Sequence, residues 1–208
     1  MQVEEFRAQA RAEAVGPHYS GLLHLAFVNA LSILIIAAAA LQLRAPRWAL
    51  LTVPVTFFYA NLVEWLAHRG PMHRPRRLLR LVYQRHTLLH HAFFTHQAMR
   101  LDGSRDFKMV LFPPVLLIFF FGGFALPIAL LLQAVAGTNV AALFVITALS
   151  YYLLYEWLHL GYHLGGRAPR FIAGLRSHHA THHDPRQMTG NFNITFPICD
   201  RLFGTSAP

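Results

Sequence analysis

"MVLFPPVLLIFFFGGFALPIALLLQAVAGTNVAALFVITALSYYLLY", residues 109–155, runs for 47 residues without an Asp, Glu, Lys or Arg. A helix of about 20 apolar residues crosses the hydrocarbon core of a bilayer, so this stretch is long enough for two crossings. The natural break is "QAVAGTN" at 133–139. Two further runs precede it: residues 21–43 carry no charged side chain and residues 48–67 carry only Glu64. The sequence therefore predicts four spans, at 21–43, 48–67, 109–132 and 140–158. Pro113–Pro114 and Gly122–Gly123 are expected to bend the third span or delay its start, which a membrane helix tolerates where neighbours satisfy the freed backbone groups.

Composition agrees. The chain is 55% hydrophobic and 13% charged, where a soluble domain carries about 25% charged residues. The amino-terminal "MQVEEFRAQARAEAVGPHYS" has three glutamates and lacks the basic-then-apolar order of a cleaved signal peptide, so the first span is expected to be retained. Cys199 is the single cysteine, which rules out an internal disulfide framework. With 208 residues, no internal repeat and no room for an appended soluble domain, the expectation is one membrane-embedded domain over 1–208.

Orientation follows from the basic residues. Of 18 Lys and Arg, two precede the first span, nine lie in 69–108 and five follow the fourth span, against only Arg44 and Arg47 in the first hairpin. The positive-inside rule then puts both termini and the 69–108 loop in the cytoplasm. That topology, with attraction to anionic headgroups, accounts for the +9 net charge without a nucleic-acid partner.

The histidines concentrate on that side. His68 and His73 close the second span in "EWLAHRGPMH", where the Gly-Pro step is expected to end the helix. His86, His90 and His91 follow in "RHTLLHH", His159 and His163 in "EWLHLGYH", and His178, His179, His182 and His183 in "HHATHH". On an α-helix, residues three or four apart share a face, which pairs His86 with His90, His159 with His163, His178 with His182 and His179 with His183. Adjacent histidines diverge by about 100°, so 90–91 and 182–183 can each serve two neighbouring metal ions. A lone interfacial histidine is ordinarily a hydrogen-bonded structural residue, and His18, His24 and His96 are read that way. Imidazole suits Fe, Zn, Cu and Ni, while the missing cysteines and scarce carboxylates disfavour iron–sulfur, calcium and carboxylate-bridged di-iron sites.

These groups, H-x4-H at 68–73, H-x3-HH at 86–91, H-x3-H at 159–163 and H-x2-HH at 179–183, resemble the histidine boxes of the fatty acid hydroxylase and sterol desaturase superfamily of membrane di-iron enzymes. The tail "HHDPRQMTGNFNITFPICDRLFGT" is similar to that superfamily's closing segment, and the likeness covers roughly 60–205. It implies an all-α integral membrane fold with four transmembrane helices and a cytoplasmic histidine-rich helical cap. It also implies two Fe ions, replaceable by Zn during purification, with O2 as co-substrate. The implied ligands are His68, His73, His86, His90, His91, His159, His163, His179, His182 and His183. The second box is one residue longer than the commoner H-x2-HH, and His178 is the alternative to His179.

Metal-bound imidazoles usually donate their second ring N–H to an acceptor. Glu64 and Glu156, four and three residues before a histidine, are candidates, as are Asp184, Asn191, Asn193 and Asp200. The implied activity is hydroxylation or desaturation of a membrane lipid. Its electrons would come from a separate ferredoxin or cytochrome, because the chain has no dinucleotide fingerprint or cysteine set of its own. A carotenoid ring hydroxylase is the alternative within the enzyme class. A metal or proton transporter is the alternative outside it, although such a protein should place ionisable groups along its spans, and a zinc-dependent lipid hydrolase is a third.

Overall fold

The computed structural model describes residues 3–44 and 47–207, and among them the regular structure is helical. Helix α1 (Val3–Ala14) is amphipathic and precedes α2 (Gly21–Ala40). A 3₁₀ turn at Arg47–Leu51 leads into α3 (Thr52–Ala67), which continues as a π-helical turn over His68–Met72. Short helix α4 (Arg80–Tyr83), a second π turn (Gln84–His90) and α5 (His91–Phe93) form the histidine-bearing loop. After α6 (Phe107–Val110) come α7 (Pro114–Phe120), a third π turn (Phe121–Ala125), α8 (Leu126–Ala136) and α9 (Thr138–Leu164). Helices α10 (Arg170–His182) and α11 (Ile198–Leu202) close the chain.

Four of these stretches are long and apolar enough to cross a membrane: Gly21–Ala40, Arg47–Met72, Ser104–Ala136 and Thr138–Leu164. The expected break between the last two is Gly137, whose φ of 89° lies where a side chain is strained. Pro114 starts α7 at its first turn, where its missing N–H costs nothing, and Gly122–Gly123 fall inside the third π turn. The third span is thus a broken helix, longer than the 109–132 read from the sequence, and α9 runs six residues past the expected 158. The Gly-Pro step interrupts the second span as expected: Gly70 leaves helical geometry at φ −90°, ψ −106°, and the residues up to Met72 follow beyond that kink.

The chain gathers into two compact units. One comprises Leu22–Ala60 and Phe112–Glu156. Its core joins Ala49, Val140 and Leu143 with Leu43, Leu132 and Ala136, and the amide of Arg44 donates to Asn139 Oδ1 at 2.7 Å. Leu34, Val55, Ile118, Leu131 and Val135 all stand exposed, an apolar surface suited to lipid and not to water. The other unit comprises residues up to Gly21, Asn61–Leu111 and residues from Trp157 on. Trp65, Phe192 and Cys199 form an apolar cluster there, and every candidate histidine ligand lies in this unit.

Candidate metal centre

The ring nitrogens of the box histidines converge into two groups. His68, His73, His86, His91 and His182 form the first, and His90, His163, His179 and His183 the second, with one nitrogen of each residue within 4.8 Å of those of its group. His159 borders the second group: its Nε2 lies 3.1 Å from His90 Nε2. Except for His73, which is half-buried, these rings are buried.

The π turn at Gln84–His90 decides how His86, His90 and His91 divide between the groups. A π turn closes i→i+5 hydrogen bonds, so residues five apart align. The His91 amide donates to the His86 carbonyl, placing His86 and His91 in the first group and His90 in the second. His68 and His73 lie on either side of the Gly70 kink, and both belong to the first group. The pairing of His86 with His90 expected from α-helical spacing is therefore not found; their rings stack at 5.3 Å but their nitrogens serve different groups. Helix α10 is regular, so His179 and His183 share the second group while adjacent His182 turns to the first. His178 points elsewhere, its Nε2 3.2 Å from Asp200 Oδ2.

Backbone carbonyls orient the rings. His68 Nδ1 donates to the Phe192 carbonyl, His182 Nδ1 to Gly190 at 2.6 Å, His90 Nδ1 to Met109 at 2.9 Å, His163 Nδ1 to Met99 at 2.8 Å and His183 Nδ1 to Phe94 at 2.5 Å. A carbonyl only accepts, so each Nδ1 carries the proton and each Nε2 presents a lone pair. Two such nitrogens, as in His90 and His183 at 3.2 Å, cannot hydrogen-bond to each other. The short Nε2–Nε2 distances span 2.8 Å for His68–His86 to 3.2 Å for His163–His179. With metal–nitrogen bonds of about 2.1 Å, nitrogens at right angles around one ion lie about 3.0 Å apart. The donor set fits transition-metal ions held between the rings.

Electrostatics favour the same state. Burial, then the neighbouring His182, lowers His73 to about 3. Burial lowers His182 to about 4, although the Gly190 carbonyl and Asp200 pull the other way. His86, His90, His91, His179 and His183 are held below the ordinary imidazole range, first by burial and then by one another. Neutral imidazole is the form that binds metal.

The acidic and amide candidates act one step further out. Glu64 accepts from the Ile194 amide, the Thr195 amide at 3.0 Å and the Thr195 hydroxyl at 2.7 Å. Asp200 accepts from the amides of Phe192 at 3.0 Å and Asn193 at 2.7 Å and from the Thr205 hydroxyl at 2.6 Å. Asn193 Nδ2 donates to the Asn61 carbonyl at 3.1 Å. These bonds hold the tail loop whose carbonyls, Gly190 and Phe192, aim His182 and His68. A Cβ on Gly190 would meet the Thr205 carbonyl oxygen at 2.7 Å, so that approach requires glycine. Asn191 donates to the His178 carbonyl, Glu156 accepts from Tyr152 and the Phe112 amide, and Asp184 pairs with Arg186 on the surface. His24 Nε2 meets the Phe112 carbonyl at 3.1 Å, while His18 and His96 are exposed and belong to neither group.

The family model for fatty acid hydroxylase matches residues 53–205. The chain belongs to the fatty acid hydroxylase family. It is 32% identical over 154 residues to the fatty acid 2-hydroxylases of Macaca fascicularis and of Homo sapiens, a match covering 73% of this chain and 38% of each relative. The chain thus spans well under half the length of those relatives. It also resembles the solved structure of full-length Scs7p, in which only the hydroxylase domain is visible, at a TM-score of 0.65 and 21% identity over 91% of this chain and 67% of that one. At that identity the likeness concerns the fold.

Proposed function

We propose that residues 1–208 act as one membrane-embedded di-iron oxygenase domain that hydroxylates a lipid acyl chain with O2. The observation that carries this reading is the convergence of two sets of imidazole nitrogens, five of the rings having the opposite nitrogen tied to a carbonyl. His68, His73, His86, His91 and His182 would hold one iron, and His90, His163, His179 and His183, with His159 beside them, the other. Bound iron would supply the O2 activation that attack on an unactivated C–H bond requires. The chain's part is to fix the rings of His68, His90, His163, His182 and His183 by backbone carbonyls, keep the imidazoles neutral and exclude water by burial.

The relatives carry the name fatty acid 2-hydroxylase, and we extend that position, next to the acyl carbonyl, to this chain. Electrons come from a separate protein donor. The charge asymmetry of the loops supports a cytoplasmic site and cytoplasmic termini. Expression in a host whose lipids are profiled, with and without O2, tests the reading. An O2-dependent gain of one oxygen atom in an acyl lipid is expected. Loss of two hydrogens would make the protein a desaturase, and activity indifferent to O2 would overturn the oxygenase reading.

A further inference from the structure

Arg7, on α1, is 4% exposed. A buried guanidinium is costly unless its donors are used, and this one spans a loop: Nε donates to the Phe93 carbonyl at 2.9 Å, and Nη2 to the carbonyls of Ala98 at 2.5 Å and Arg100 at 3.2 Å. Its Cζ also lies 5.0 Å from the centroid of the Phe93 ring and 5.7 Å from that of the Phe94 ring. The carbonyls it grips bracket two of those that aim the second histidine group, Phe94 toward His183 and Met99 toward His163. The carbonyls of Ala98 and Arg100 meet Arg7 while that of Met99 between them meets His163. Holding Ala98 and Arg100 from the α1 side therefore turns the Met99 carbonyl toward His163. The Leu101 amide closes the same loop onto the His163 carbonyl at 3.0 Å.

We infer that Arg7 is a positioning residue for the second metal site: α1, which lies outside the 53–205 family match, sets the tautomer and aim of His163 and His183 through the 93–100 loop. The inference rests on the two-metal reading. Its direction is distinctive, because the guanidinium charge itself repels a bound cation. If Arg7 acted by charge alone, removing it would tighten metal binding; acting through the loop, its removal loosens binding at one site.

The test loads detergent-purified protein with Fe(II), counts metal by elemental analysis and follows its release to a chelator. Arg7→Ala is expected to lose about half the bound iron, the remainder leaving at the wild-type rate. Arg7→Lys, which keeps the charge and a single donor group, is expected to fold and to release one of its two irons at least tenfold faster; it decides the matter if Arg7→Ala cannot be purified. In a His183→Ala background Arg7→Lys should change nothing further, whereas in a His86→Ala background it should speed loss of the remaining iron. Equal loosening of both irons, unchanged release or tighter binding would each overturn the positioning role. Wild-type protein that binds fewer than two irons would instead overturn the two-metal reading.

Discussion

His90 Nε2 faces His183 Nε2 at 3.2 Å while each ring gives its Nδ1–H to a carbonyl, Met109 and Phe94 respectively. Two lone pairs held that close repel unless something cationic lies between them. Metal removal should therefore loosen the protein: chelator treatment is expected to lower its melting temperature and raise hydrogen exchange in 84–96 and 170–183. His183→Ala should reduce bound iron from two ions per chain to one. A count near one in the wild type, unchanged by substituting His159 and His163 with Ala, would defeat the two-site assignment.

His178 and His179 should separate cleanly. His179→Ala removes a ligand from the second group and is expected to lose metal and activity together. His178→Ala should retain both metals and instead weaken the tail, because its partner is Asp200. Asp200 is 0% exposed, and losing one neutral-to-charged hydrogen bond there costs about 1–3 kcal/mol. Thermal melting with metal analysis on both variants decides between them; metal loss in His178→Ala with retention in His179→Ala would reverse the assignment.

Stability of the metal-free protein should fall with acidity. His73 at about 3 and His182 at about 4 stay neutral when folded, whereas unfolded imidazole titrates near about 6.5. The unfolded state then binds more protons below that value, and stability present above it is lost as pH falls toward the folded values. Asp200 acts in the same direction at lower pH. Burial alone would raise it, but the hydrogen bonds from His178, Thr205, Asn193 and Phe192 keep it below the ordinary carboxylate range. Its contribution is complete above the unfolded value of about 3.9 and disappears below that. Melting of stripped protein across these ranges checks both; a profile flat from about pH 7 to about pH 5 would contradict neutral buried imidazoles.

The spans were legible because lipid demands a long uncharged run, and residues 109–155 offer nothing else. The clustering of the histidines was legible because imidazole at that density in so apolar a chain has few other uses. What the residues did not disclose was the grouping. That depends on the π turn at Gln84–His90, and an i→i+5 turn leaves no mark on side-chain chemistry. The orienting acceptors were missed for a related reason. They are carbonyls of Phe94, Met99, Met109, Gly190 and Phe192, and any residue has a carbonyl, so the search for carboxylates found Glu64 and Asp200, which hold the loop behind them. Arg7 looked like a topology charge; only its three carbonyl partners set it apart.

The electron donor should dock at Arg74, Arg76, Arg77 and Arg80, all exposed and following directly on the second span. Charge steering acts mainly on association rate and fades with salt. Charge reversal at the four arginines is expected to cut donor-dependent turnover about tenfold or more at low salt and to flatten its salt dependence. Unchanged turnover and salt response would leave these residues to lipid headgroups alone.

Oxidation should fall within a few carbons of the lipid's polar end. From Thr138 to His159 along α9 is 21 residues, about 31 Å at 1.5 Å per residue, and Arg47 to His68 is the same count on the second span. A hydrocarbon core is about 30 Å thick, so helices that enter at one face bring their first ligands to the other. Of the remaining histidines His163 sits one turn further along α9, and the others follow from segments outside the four spans, in 73–91 and 179–183. A lipid anchored by its polar group presents its first carbons at that depth. Bringing a mid-chain carbon there would expose tail to water at about 0.8 kcal/mol per CH2, so ten methylenes cost about 8 kcal/mol unless protein covers them. Fragmentation mass spectrometry of the product locates the hydroxyl. Position 2 or its neighbours is expected; a hydroxyl near the middle or methyl end would refute the interfacial placement and require a deep, bent apolar channel to carry the chain to the irons.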